Sequence, residues 1–317
     1  MKQNPLSFAI LGTGALGGYY GARLHHAGFS THFVLHSDFA HVQSHGLKVE
    51  SIHGDFSIAH PQIYPNMDAL PPCDVLCLSL KSTANVQFLP YLHSKLKPGG
   101  CVLVLQNGIG IEEEIAEYVG DAAVIGGLCF LCSNKIGPGH IQHLDYGSII
   151  LAPLATHSAQ SEPLLQRIRE ALVHAGIDTT INSNLGAARW QKLMWNIPFN
   201  GLSVVLRCTT LELMQSEAGT RLVRTLMEEV EAASIACGTP VPPNLIDKLL
   251  HTTRKMTPYL PSMRLDFERN QAMEIDAIYS RPLARASAHG HSMQRTAMLR
   301  DQLVMLEQGL STRKSSS

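Results

Sequence analysis

The stretch "SFAILGTGALGG", residues 7–18, constrains the fold of this chain more than any other. A short apolar run of strand type ends in Gly12, Gly14 and Gly17, spaced G-x-G-x-x-G. The following "ALGGYYGARLHHAG" has helical spacing and a glycine stop at Gly28. Each loop glycine has its own task. Gly12 permits a tight turn, Gly14 lets a pyrophosphate approach the backbone, and Gly17 lets helix and strand pack closely. The helix N-terminus adds oriented N–H donors. Alone the motif is weak, and a glycine-rich turn without a ligand is the competing interpretation. A strand before it and a helix after it make it a dinucleotide-binding loop. Gly12, Thr13, Gly14, Ala15, Leu16 and Gly17 are therefore the first candidate cofactor contacts.

Further apolar runs follow in the same style. "STHFVLHS" reads as a second strand, and "GLKVES" with "GDFSIAHPQIY" as a hairpin-like insertion. "CDVLCLSLK", "GGCVLVLQNG" and "AAVIGGLCFLCS" read as three more strands. Strands alternating with helices indicate a parallel sheet covered on both faces. After residue 135 the texture changes. "GPGHIQHLDYGSIILAP" suggests antiparallel strands, and from about residue 184 capping signals recur along helix-length segments. The expected class is α/β: a Rossmann-type domain over 1–183 and an all-helical domain over 184–317. The polar ending "STRKSSS" is expected to be disordered.

Composition removes several classes of function. Lys+Arg number 25 against Asp+Glu 26, a net charge of −1, so nothing in the overall field favours nucleic acid or an anionic membrane. No stretch approaches the roughly 20 apolar residues of a membrane span, and glycines interrupt the N-terminal apolar run, so no leader and a cytoplasmic location are expected. The 7 cysteines are an odd number and sit mostly in apolar segments, as buried free thiols do. Cys129 and Cys132 have the spacing of a redox or zinc pair, but no second pair follows, and the 16 histidines form no HExxH. No metal is expected.

Polar residues at strand ends carry more information. The end of the second strand selects the dinucleotide, because an acid there holds the ribose of NAD and a base suits the 2′-phosphate of NADP. In "VLHSDF", His36 takes that position and Asp38 lies further on. With neither an acid nor an arginine at the position, the expectation leans to NADP(H), with NAD(H) second. Lys81 and Asn107 end two later strands, where ligands of open α/β sheets bind, although a surface lysine or a turn asparagine would look the same. In "RWQKLMWNIPFN", residues 189–200, Lys192, Asn196 and Asn200 fall four apart, so one face of an apolar helix presents an ammonium and two amides. Taken alone, this is also the pattern of a snorkelling lysine beside capping amides. Pro198 removes one backbone donor from the same helix.

These pieces together resemble the ketopantoate reductases (2-dehydropantoate 2-reductases). "LGTGALGGYYGARL", "SLKSTA", "LQNGIG", "RWQKLMWNIPFNGL" and "SMRLDFERNQAMEID" stand in the family's order and spacing across nearly the whole chain. The resemblance implies a Rossmann domain, a helical domain and an active site in the cleft between them. It implies Lys192 as the catalytic lysine with Glu274 as its carboxylate partner, and Lys81 near the nicotinamide. Asn107 would lie in both the cofactor and substrate sites, with Asn196, Asn200 and Ser262 lining the latter. The chain departs from the family at His36, usually arginine, and at Ser280, where many members have glycine, followed by Arg281 and Pro282.

The implied activity is NADPH-dependent reduction of 2-dehydropantoate to (R)-pantoate, for pantothenate and coenzyme A synthesis. An ammonium at Lys192 suits the proton donor, because it stabilises a developing alkoxide and can then protonate it. A paralogous reductase of another branched 2-keto acid is the near rival, and a dinucleotide sensor without turnover is the rival from another class. The expected partner is a small-molecule 2-keto acid, and a homodimer is an assembly the sequence leaves open.

Overall fold

A computed structural model describes residues 4–314, and the chain divides into two compact units. The first comprises Met1–Gln106 and Ile111–Leu185; the second comprises Asn107–Gly110 and Gly186–Ser317. Each has its own apolar core.

The first unit is built on one ten-stranded sheet. Its first strand is β1 (Ser7–Leu11), third from one edge, whose five residues are all buried, as an apolar run bounded by turns predicts. On one side of β1 lie β2 (Ser30–Val34) and then β5 (Gln62–Tyr64). On the other lie β6 (Cys73–Leu78), β7 (Leu96–Val104) and β8 (Ala123–Gly137). All of these pairings are parallel. The order reverses at β1, so the carboxyl ends of β1 and β6 flank the sheet's switch point, where such sheets bind ligands. Beyond β8 the sheet becomes mixed. β9 (His140–Pro153) runs antiparallel to β8, β3 (Leu47–Ser51) runs parallel to β9, and β4 (Phe56–Ile58) closes a hairpin with β3. β10 (Thr179–Ile181) pairs with β9. The expected hairpin insertion is thus β3–β4, while the rest of that segment, β5, joins the main sheet beside β2.

The sheet is accompanied by α1 (Ala15–His26), α2 (Phe39–His45), α3 (Ile111–Val119) and α4 (Ser158–His174). The second unit is helical: α5 (Leu185–Leu206, entering from the boundary), α6 (Thr210–Gln215), α7 (Glu217–Ala236), α8 (Leu245–Lys255), α9 (Ser262–Glu268), α10 (Arg281–Ala288) and α11 (Gln294–Lys314). A π-helical turn, Asp276–Ser280, leads directly into α10. The C-terminal expectation needs correction, because α11 continues to Lys314 through the first four residues of "STRKSSS". Ser315–Ser317 lie outside the described residues. No described helix is long and apolar enough to cross a membrane.

Candidate active site

The glycine loop leaves β1 and enters α1, and its three glycines do different things. Gly12 has φ +97°, a conformation side chains disfavour, and a Cβ there would run into Leu80. At Gly17 a Cβ would collide with the Ser79 hydroxyl and the Gly12 carbonyl. Gly14 has ordinary extended backbone, and a Cβ there would meet nothing within 4 Å. Two glycines therefore close the loop onto the protein, and the third keeps its outer surface open. Gly14 is the N-cap of α1 with no side-chain cap, so the loop's open side coincides with the start of a helix. This is the cradle a dinucleotide pyrophosphate requires.

Neighbours that sequence reasoning did not single out hold the cradle. Ser79, just past β6, donates to the carbonyls of Leu11 at 3.1 Å and Gly12 at 2.9 Å. The buried amides of Asn85 and Gln106 bond reciprocally at 3.2 and 2.6 Å, and Gln106 Nε2 also donates to the Leu80 carbonyl at 2.8 Å. The ends of β6 and β7 are thereby fixed, with Lys81 next to one and Asn107 next to the other. Lys81 itself is half-buried and starts the short 3-10 turn Ser82–Gln87. The signal for these supports was polar residues directly beside motif residues, in "LSLKS" and "LQNG".

At the end of β2, His36 and Ser37 are exposed, whereas Asp38 is buried. Burial works against the Asp38 charge. The Lys135 ammonium, the Gly139 N–H and the Ser37 hydroxyl outweigh it and hold the carboxyl below its ordinary range. Cys129 and Cys132 are both buried on β8, and burial pushes the Cys132 thiol up to about 12, so the thiolate that redox or metal chemistry needs is disfavoured.

The second unit gathers most of the remaining candidates. α5 is buried nearly all round: Trp190, Leu193, Met194, Ile197 and Phe199 are at most 1% exposed. On the same helix Lys192, Asn196 and Asn200 are 7%, 6% and 2% exposed, so the lysine does not snorkel to solvent. The Nδ2 of Asn196 is buried without a hydrogen-bond partner among the described residues. Asn200 is already employed. Its Oδ1 accepts from the Met263 N–H at 3.2 Å and lies 3.5 Å from the hydroxyl of Ser262, so a side chain of α5 caps the start of α9. Asn200 and Ser262 are thus brought together, with the carboxamide oxygen committed to structure.

Glu274, 6% exposed, lies two residues before the π-helical turn. That turn also receives the Asn107–Gly110 segment. The Ile109 N–H donates to the Ala277 carbonyl at 3.2 Å, and Gly108, at φ +106°, has no room for a Cβ against Ala277. Arg281 donates to the Gly110 carbonyl at 3.1 Å and pairs with Asp276 at 2.7 Å. The chain's departure at Ser280–Pro282 therefore includes a clamp on the Asn107 loop. Tyr279, fully buried, donates from its hydroxyl to the Ile197 carbonyl at 2.8 Å, in the middle of α5. Gly201 makes room for it, since a Cβ there would lie 2.6 Å from the Tyr279 oxygen. Near Pro198, where the helix lacks a donor, the phenol thus ties α5 to the turn that follows Glu274. Nothing in the sequence marked Tyr279, because its partner is a backbone atom 82 positions away.

Comparison with known proteins agrees over both units. The sequence matches the family described as "Ketopantoate reductase PanE/ApbA" over residues 8–156, and its "C terminal" counterpart over residues 184–307. A 2-dehydropantoate 2-reductase from Nostoc sp. (strain PCC 7120) is 44% identical over 307 residues, 96% of each chain. The crystal structure of 2-dehydropantoate 2-reductase from Geobacter metallireducens GS-15 matches with a TM-score of 0.90 at 37% identity, covering 95% of this chain and 99% of that one. A ternary structure of D-mandelate dehydrogenase with NADH and anilino(oxo)acetate has the same fold, with a TM-score of 0.89 at 22% identity, covering 96% and 100%.

Proposed function

Because the chain belongs to the ketopantoate reductase family, we propose that it is an oxidoreductase that reduces 2-dehydropantoate to (R)-pantoate with NADPH. The product would serve pantothenate and coenzyme A synthesis, and a cytoplasmic location belongs to the same proposal. The observation that carries it is the buried, unsatisfied Asn196 Nδ2 one helical turn from the buried Lys192. A buried donor without an acceptor costs about 1–3 kcal/mol. An oxygen-rich ligand such as a hydroxylated 2-keto acid would satisfy it.

The roles follow from chemistry. Gly12, Thr13, Gly14, Ala15, Leu16 and Gly17 would cradle the pyrophosphate, His36 would border the adenosine end, and Lys81 and Asn107 would border the nicotinamide. A nicotinamide held there would supply the hydride that the carbonyl carbon receives. Lys192 stabilises the negative charge that develops on the carbonyl oxygen and transfers a proton to it from Nζ. Solvent then restores the lysine's proton. Glu274 would balance the charge of Lys192, since a buried ammonium is costly without a carboxylate to pair with. Asn196 and Asn200 each contribute an amide donor, and with Ser262 and Asn107 they orient the substrate's carboxylate and hydroxyl.

The deciding experiment follows loss of NADPH and NADH absorbance with a panel of 2-keto acids. The expected result is highest kcat/KM for 2-dehydropantoate with NADPH. Higher kcat/KM for another branched 2-keto acid would replace the substrate, and dinucleotide binding without turnover on any keto acid would make the protein a sensor.

A further inference from the structure

The end of β2 contains a charge arrangement that pyrophosphate binding does not require. Asp38 is 5% exposed. Its Oδ2 accepts from Lys135 Nζ at 2.6 Å and from the Gly139 N–H at 2.9 Å, and its Oδ1 accepts from the Ser37 hydroxyl at 3.1 Å. Lys135 keeps 30% of its side chain exposed, so its ammonium covers the carboxylate and still reaches solvent. The pair lies close to the cofactor loop. Two residues before Lys135 on β8, Ser133 donates to the carbonyl of Ala15, the first residue of α1, at 3.3 Å. Thr13 of the loop donates to the carbonyl of Val34, the last residue of β2, at 3.3 Å. The exposed His36 and Ser37 separate that strand end from Asp38.

A free carboxylate past the second strand favours the ribose diol of an unphosphorylated dinucleotide and repels a 2′-phosphate. A phosphate monoester carries nearly two negative charges near neutrality, so an uncompensated acid beside it is strongly unfavourable. We propose that Lys135 masks Asp38, and that this masking makes Lys135 a determinant of selectivity for the 2′-phosphorylated dinucleotide. In this site without an arginine, the acid is present but turned inward and neutralised. The proposal rests on the NADPH reading above.

The test uses the full chain and titrates NADPH and NADH by nicotinamide fluorescence at low ionic strength. Lys135→Met is expected to weaken NADPH binding by about tenfold or more, because a like-charge contact replaces a compensated one. NADH binding should change by less than about threefold. The double variant K135M/D38N removes both charges and should recover NADPH affinity to within about threefold of wild type. A purely structural clamp on the β8–β9 turn would weaken both dinucleotides alike and leave their ratio unmoved. That result overturns the proposal, as does a double variant that binds NADPH as poorly as K135M. Should K135M fail to fold, Lys135→Gln removes the charge while keeping a donor and carries the same expectation. Tighter binding of NADH than NADPH by the wild type would sink the cofactor reading itself, before any variant is made.

Discussion

The glycine loop and the polar face of α5 are both candidate ligand sites, and they are specified in opposite ways. The loop works through absence. Gly12 and Gly17 have no space for a side chain, Gly14 leaves its outer side open, and all three belong to the single motif "GTGALG". The α5 face works through presence: an ammonium and two amides inside a helix whose other faces are apolar and buried. Its geometry depends on remote residues, because Asn200 is fixed at Met263 and the Ile197 carbonyl is held by Tyr279. A backbone-built site is set by local rules, whereas a side-chain-built site is set by whatever the rest of the fold brings against it.

The sharpest way to separate the two regions is to remove chemistry from one while leaving binding at the other. Lys192→Ala is expected to lower turnover by about 10²–10⁴-fold, the usual contribution of a positioned proton donor. Its NADPH affinity should stay close to wild type, since the loop belongs to the other unit. Single-turnover kinetics with a parallel binding titration read both quantities. Near-normal turnover would move the proton donor elsewhere, with Lys81 next to be tested.

The converse substitution is Gly14→Val. The backbone there is ordinary and the Cβ site is open, so the fold should tolerate it while the pyrophosphate meets a side chain. We expect dinucleotide affinity to fall on the order of ten- to a hundredfold, with the melting temperature nearly unchanged. Gly17→Ala should do the reverse, costing about 1–3 kcal/mol of stability through its clash with Ser79 and the Gly12 carbonyl. If both substitutions damage stability equally, the division of labour within the loop is wrong.

That contrast explains what can be read from the sequence. The strand–loop–helix, the parallel core and the helical second half are legible because their determinants are local: apolar runs, glycine spacing and capping residues. The tail departs from its expectation because "STRK" is polar yet directly follows a long helix, and α11 runs on through it to Lys314. A few polar residues extend an existing helix at little cost, since the unfavourable step is nucleation. Tyr279 is not legible, and Ser79 and the Asn85–Gln106 pair are legible only as polar residues in or near motif residues, because each acts on a backbone or amide partner far away in sequence. Lys135 is hidden for the same reason, its partner Asp38 lying past the end of a different strand.

Tyr279→Phe tests that non-local dependence with a smaller effect. The substitution removes one oxygen and leaves the ring. The Ile197 carbonyl then loses its bond from the phenol in a buried setting, at an expected cost of about 1–3 kcal/mol. If the tie also positions α5, kcat for keto-acid reduction should fall several-fold while NADPH affinity holds. Stability lost with kcat unchanged would make the tie purely structural.

The smallest expected effect lies at Asp38 and is visible only as a function of pH. Against the penalty of burial, Lys135 and the Gly139 N–H hold its carboxyl below the ordinary range, so the folded state binds this proton less readily than the unfolded chain. A group with a depressed folded pKa stabilises the fold fully above its unfolded value, about 3.9 for aspartate, and loses that contribution as pH falls through the folded value. Asp38→Asn has no such charge to lose. Its melting temperature should lie below that of the wild type by about 2–4 °C near neutrality, as expected for roughly 1 kcal/mol in a unit of this size. The gap should stay constant down to about pH 5 and close as pH falls below about 4. Scanning calorimetry of both proteins across that range decides the matter. A gap that persists unchanged at the acid end would mean that the Asp38 charge adds nothing to stability, and that Lys135 and Gly139 hold the strand end by shape alone.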